Sequence, residues 1–176
     1  MKHIIRKILK EEFKTSNLKN GKSLVASQWA EDFIKGHEKL RLTAYDIGDN
    51  HITIGYGHAE LKSTTKLVAN KTKITKEKAD QYFKSDYEEA YSCINRLFKQ
   101  WESIGIDIPL NQNMFDVLTS LSFNSGCNTV RQSSFIQQLK IGEYQKAGEQ
   151  IKTHGLVDGF GGLSTRRNKE SQHFLS

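Results

Sequence analysis

Proline is nearly missing from this chain, and its single instance, Pro109, breaks the chain ahead of an apolar helical stretch. Long apolar runs are missing too. The longest are three or four residues, far short of the roughly 20 that span a bilayer. The N-terminal run MKHIIRKILKEEF has no uninterrupted apolar core of the about 7–15 residues that a secretory signal uses, so export by that route is not expected. Cysteine is scarce: Cys93 and Cys127 form no CxxC pair and no zinc-spaced Cys/His cluster. They are expected as two buried or half-buried thiols, with a disulfide open to them only in an oxidising compartment. Gly55 and Gly57 flank Tyr56 in IGYGH, but the third glycine and following helix of a dinucleotide loop are lacking, which excludes a phosphate site there. No internal repeat or low-complexity tract is evident.

What remains is a 176-residue chain with 26% charged and 36% hydrophobic residues, ordinary for a soluble domain. The net charge is +6. A cationic surface favours nucleic acid, anionic lipid or an acidic wall polymer, and serves solubility equally well. Lys62, Lys66, Lys71, Lys73, Lys76 and Lys78 form a basic patch without interleaved aromatics. It makes a poor single-strand groove, and no nucleic-acid partner is expected.

Apolar periodicity lays out the elements. Ile4, Ile5, Ile8, Leu9 and Phe13 repeat on a basic amphipathic helix, residues 1–13, expected to contact a partner, a virion component or an anionic membrane surface. A polar linker, residues 14–25, follows, then one folded domain over 26–176. Its first helix runs from Ala26 to His37, with Ala30, Ile34 and Glu38 along one line. Leu40, Leu42 and Ala44, then Ile52 and Ile54, alternate as a β-hairpin turning at residues 48–50. A lysine-rich loop spans 61–73. Thr75 is placed to cap a long helix over 76–101, and helices are expected at 111–123, 134–139, 143–152 and 164–175. The class is α+β, a small β-lobe on a mostly helical body.

Glu38 carries the first chemical argument. At a helix C-terminus it faces the negative end of the dipole, and apolar neighbours such as Ile34 desolvate it. Both disfavour its charged form, as a general acid at neutral pH requires. Asp46, Asp49 and Thr53 sit in the hairpin beyond it. An inverting glycosidase needs a second carboxylate roughly 6.5–9.5 Å from the acid, to hold a water on the opposite face of the sugar. Residues near a hairpin turn reach that range, although acids there also serve turn geometry. His58 suits a structural hydrogen bond better than a ligand role.

At these residues a resemblance becomes specific. E-x-L-R-L-x-A-Y followed by T-I-G-Y-G-H resembles the active-site signature of the phage-type lysozymes, glycoside hydrolase family 24. ITKEKADQYFKSD (74–86), SLSFNSG (120–126) and GLSTRRNKESQHFL (162–175) resemble further family segments, in order over residues 26–176. The resemblance implies a lysozyme-like fold, a small β-hairpin lobe joined by a long helix to a larger all-helical lobe. It implies a muramidase that cuts the β-1,4 bond between N-acetylmuramic acid and N-acetylglucosamine in peptidoglycan, with neither cofactor nor metal.

In that frame Glu38 matches the catalytic acid, and Thr53 the hydroxyl that helps an aspartate hold water. Tyr45, Phe123, Asn124 and Arg166 match substrate-binding positions, Arg166 pairing with the glutamate and so favouring its charged form. His58 and Asp86 match a structural ion pair. The family's aspartate falls nine residues past the glutamate, which here is Ile47. Asp46, one residue early and directly after Tyr45, is the expected substitute, with Asp49 as the alternative. A one-residue slip turns a strand side chain to the other face unless a bulge rebuilds the turn.

Two other outcomes stand beside this one, the first if neither aspartate reaches the water. A lytic transglycosylase needs only the glutamate and leaves 1,6-anhydro ends. A non-catalytic wall-binding virion module would bind peptidoglycan without turnover. The resemblance further implies a monomeric, phage-induced lytic enzyme, held in the host cytoplasm until release and acting on the wall in the periplasm, or carried in the virion.

Overall fold

The computed structural model describes residues 23–156 and 161–176. The helix expected at 1–13 and all of the linker but residues 23–25 lie outside them; residues 23–25 are irregular. The described elements are α1 (Gln28–His37), β1 (Arg41–Tyr45), β2 (His51–Gly55), β3 (His58–Leu61), α2 (Lys76–Ser103), α3 (Gln112–Ser125), α4 (Cys127–Gln132), α5 (Ser134–Lys140), α6 (Tyr144–Ile151) and α7 (Gly161–Phe174). Two compact units divide them: Glu31–Glu89, which holds the sheet, and a helical unit made of the described part of 1–30 together with 90–176.

The sheet unit has three antiparallel strands in the order β1-β2-β3, where the sequence suggested a two-stranded hairpin. The third strand follows a tight turn at Tyr56-Gly57, in which Gly57 takes φ +93°. The backbone crosses into the left-handed region there, which favours glycine. Pairing between β1 and β2 is irregular: Arg41 faces Gly55 and Tyr45 faces Thr53, four steps along β1 against two along β2. The surplus is explained on β1's other edge. Ala44 N–H donates to the Thr72 carbonyl at 2.9 Å, and Asn70 and Ile74 N–H donate to the Ala44 and Leu42 carbonyls at 2.8 and 2.9 Å.

The lysine-rich segment is therefore no free loop; it covers the sheet edge. This bulged pairing also breaks the expected alternation. Ala44, Ile52 and Ile54 are buried against Leu67, Ala69, Ile74 and Tyr82, while Leu40 and Leu42 stay exposed.

Helix α2 runs 28 residues, about 42 Å at 1.5 Å per residue. Thr75 starts it, its hydroxyl accepting from Lys78 N–H at 3.2 Å. Ala79, Phe83, Tyr87, Ala90, Ile94, Leu97 and Trp101 are buried at helical spacing. In the helical unit α3 is buried on nearly every face, from Met114 to Ser122. Asn111 caps it, accepting from Met114 N–H at 2.8 Å.

Cys93 and Cys127 form a disulfide, contrary to the expectation of two thiols. Residue spacing does not reveal it, because helix geometry brings positions 34 apart to a Cα–Cα distance of 6.0 Å.

Candidate active site

The sheet unit positions Glu38 through the end of α1. His37 Nδ1 lies 2.7 Å from the Phe33 carbonyl, and Glu38 N–H donates to Ile34 at 3.0 Å. The carboxylate thus departs from the carbonyl-rich end of the helix, half-buried. It passes over the β2–β3 turn, where a Cβ placed on Gly57 would stand 3.7 Å from Glu38 Oε2. Tyr45 lies close enough to sense it. Burial raises the phenol above its ordinary value, Arg41 opposes, and the Glu38 charge adds to the rise. The Arg41 guanidinium lies 4.3 Å from the Tyr45 ring centre. Tyr45 in turn faces Thr53, which is buried at 6% exposure.

The aspartates are held by their turns. Asp46 Oδ1 accepts from Gly48 N–H at 2.8 Å, and its Oδ2 meets Lys62 Nζ at 2.7 Å. The Lys62 ammonium, then the Gly48 N–H, hold this exposed carboxyl below its usual range. Asp49 Oδ1 accepts from His51 N–H at 2.8 Å, and its Oδ2 lies 3.5 Å from His51 Nδ1. Ile47, the family's aspartate position, is 66% exposed. His58 Nδ1 lies 2.9 Å from Asp86 Oδ2, its Nε2 3.3 Å from Glu60, and its ring stacks on Tyr82. Asp86 raises the imidazole above its ordinary value against the opposing effect of burial.

In the helical unit, Phe123 is half-buried and Asn124 exposed in the last turn of α3. The helix stops at Gly126, φ +83°, whose N–H donates to Ser122 at 2.9 Å. Asn124 Oδ1 accepts from Arg167 Nη2 at 2.5 Å. Arg167 also donates from Nη1 to Glu170 Oε2 at 2.5 Å and from Nε to the His154 carbonyl at 2.9 Å. Arg166 Nε donates to Glu170 Oε1 at 3.2 Å, and Ser120 Oγ donates to the same oxygen at 2.6 Å. Arg167 and Glu170 are essentially inaccessible, and Arg166 is 4% exposed. His154, 3.2 Å from Ser125 Oγ, is kept below its ordinary value by burial and by Arg167.

The structure thus gathers Glu38, Tyr45 and Thr53 in the sheet unit, and Asn124 and Arg166 on one buried network in the helical unit. Asp46 and Asp49 sit apart in separate turn contacts. Arg167, Glu170, Ser120 and Lys62 carry weight that sequence reasoning missed. The run RRNKE held a signal: on a helix Glu170 falls three and four residues beyond the two arginines. Among the described residues no group of three or more His, Cys, Asp or Glu side chains is disposed to hold a metal ion.

Comparison with known proteins identifies the family. The phage lysozyme family matches residues 35–170. The endolysin of Salmonella phage P22 is 34% identical over 146 residues, 81% of this chain and 92% of its own length. The endolysin of Acyrthosiphon pisum secondary endosymbiont phage 1 is 30% identical over 149 residues, also 81% of this chain and 92% of its own. Among solved structures, the muramidase domain of SpmX from Asticaccaulis excentricus superposes with a TM-score of 0.68 at 27% identity, covering 89% of this chain and 99% of that one. A match that runs from the end of α1 into α7, with endolysins similar over nearly their full lengths, makes this chain a member of the phage lysozyme family.

Proposed function

We propose that this lysozyme hydrolyses the β-1,4 bond between N-acetylmuramic acid and N-acetylglucosamine, with Glu38 as the general acid. Tyr45 carries the reading, because it pairs in register with Thr53 and senses the Glu38 charge. Glu38 gives its proton to the glycosidic oxygen as the C1–O bond breaks. Thr53 Oγ1 and Asp46 orient a water, which adds to C1 from the opposite face and gives up a proton to the aspartate, leaving a reducing, inverted end. The Lys62 ammonium and the Gly48 N–H favour the charged form of Asp46, which weakens it as a base. Phe123, Asn124 and Arg166 hold glycan, as the resemblance implies. Clearing of purified walls tests this: Glu38→Gln should abolish it, and equal clearing overturns the reading.

A second reading is favoured by the turn contacts that occupy both Asp46 and Asp49. If neither orients water, Glu38 protonates the leaving oxygen as the C6 hydroxyl of muramic acid attacks C1 intramolecularly, then takes the hydroxyl proton, leaving a 1,6-anhydro end. Asp46→Asn and Asp49→Asn separate the cases, since transglycosylation survives both and hydrolysis does not survive loss of the working acid.

The enzyme acts as a monomer on the periplasmic wall after leaving the host cytoplasm, through a pore or within a virion; the Cys93–Cys127 disulfide supports an oxidising site of action. Residues 1–22 hold seven Lys or Arg against two Glu in a chain of net charge +6. This supports their contact with an anionic surface. Deleting residues 1–20 should weaken binding to anionic liposomes; unchanged binding removes the idea.

A further inference from the structure

The reading above leaves Arg167 and Glu170 without a task, yet they are among the most deeply buried groups in the chain. Burying a guanidinium and a carboxylate is costly, and an apolar substitute often serves stability as well or better. What an apolar pair cannot do is grip an exposed amide. Arg167 distributes its N–H groups in three directions, to Glu170, to the His154 carbonyl and to Asn124 Oδ1. Glu170 fixes that fork from beneath, and itself accepts from Ser120 and Arg166.

Asn124 is otherwise anchored only by its backbone, which is pinned by the Gly126 corner and by the disulfide one residue further on. Arg167 is a donor without acceptor capacity, so it assigns the amide's two ends unambiguously: oxygen inward, nitrogen away. Among the described residues no hydrogen bond takes the Asn124 Nδ2 protons. A cationic donor on the oxygen also polarises the amide and strengthens those two N–H donors.

We propose that Arg167 and Glu170 are positioning residues that set Asn124 as a fixed double donor, matched to an uncharged carbonyl of the glycan such as an N-acetyl group. This rests on the lysozyme reading and adds to it the polarity of one substrate contact and the side chains that impose it. An acceptor-bearing ligand fits the site; a donor-bearing one is repelled.

The experiment is a double-mutant cycle on soluble, uncross-linked peptidoglycan strands, with thermal midpoints recorded alongside kcat and KM. Asn124→Asp keeps an oxygen for Arg167 and removes both donors. It should lower kcat/KM about tenfold, the effect of one lost hydrogen bond, with an unchanged or raised midpoint. Arg167→Lys keeps the charge but loses the fork. It should lower kcat/KM in the wild-type background and cost nothing further in an Asn124→Ala background.

Wild-type kcat/KM for Asn124→Asp overturns the proposal, as does an Arg167→Lys loss that is equal in both backgrounds. If Arg167→Lys does not fold, Asn124→Asp alone decides. Glu38→Gln in the same assay separates the two levels. An inactive Glu38→Gln beside a fully active Asn124→Asp refutes only the role of Asn124, whereas an active Glu38→Gln refutes the catalytic assignment beneath it.

Discussion

The turn acids of the sheet unit and the buried polar groups of the helical unit are held in opposite ways, beside one long-range pair in the sheet unit, His58–Asp86. In the sheet unit, Asp46, Asp49 and Glu60 each bond to a group two residues away or, for Asp46, also to Lys62, and all stay partly open to water. In the helical unit, Glu170 reaches Ser120 fifty positions back, Asn124 meets Arg167 across forty-three, and Ser27 Oγ bonds Asp116 across eighty-nine. Local contacts of the first kind form whenever the turn forms, and water screens them. Contacts of the second kind exist only in the folded unit and are shielded once made. The sheet unit therefore carries solvent-facing acids held by short local contacts. The helical unit supplies a rigid frame.

Four substitutions or conditions put that contrast under strain. The largest effect belongs to Glu38→Gln, which should lower turnover by a factor on the order of 10²–10⁴ without moving the thermal midpoint appreciably. Next comes Glu170→Ala. It strands two buried guanidinium groups and should cost about 3–5 kcal/mol in denaturant unfolding, whereas Asp49→Ala, on an exposed turn, should cost under about 1 kcal/mol. Equal losses at the two sites would erase the distinction between frame and turn. Replacing both cysteines by serine opens a loop of 34-residue separation and should cost about 4 kcal/mol, read by chemical denaturation with and without reductant.

The smallest effect is in pH. His58 is raised by Asp86, so its support of the sheet unit is complete below about pH 6.5 and fades as pH climbs through its folded value. His154 and His173 are lowered by burial, so the helical unit should weaken as pH falls below about 6.5. Amide exchange resolved by residue should show the two trends running in opposite directions; His58→Asn should flatten the first alone.

The same contrast governs how much could be read in advance. Helices α1, α2, α3 and α7 announced themselves through apolar spacing, and Thr75 and Pro109 through their backbone chemistry. Strand β3 did not, because His58-Ala59-Glu60-Leu61 is short, has no β-branched residue, and its apolar pair Ala59 and Leu61 lies on the exposed face. Nor did the edge pairing of residues 70–74 with β1, which is long-range and made by backbone atoms that every residue shares.

Leu40 and Leu42 alternate correctly in sequence yet end up exposed, because the bulged register on β1 overrides their period. Glu38, Thr53 and Arg166 were named from motif positions that the resemblance supplies. The Asn124–Arg167 contact was not, since those two meet only through tertiary packing of α3 and α7. The departure at Ile47 was visible by comparison with the family's motif spacing. The Lys62 contact that holds Asp46 in its place was not.

Whether Glu38 drives hydrolysis of the glycan is read from the ends released from purified peptidoglycan by the wild type and by Glu38→Gln. The wild type should release reducing N-acetylmuramic acid ends and the variant none. Release of the same ends by Glu38→Gln, or 1,6-anhydro ends from the wild type, would show that Glu38 does not drive hydrolysis.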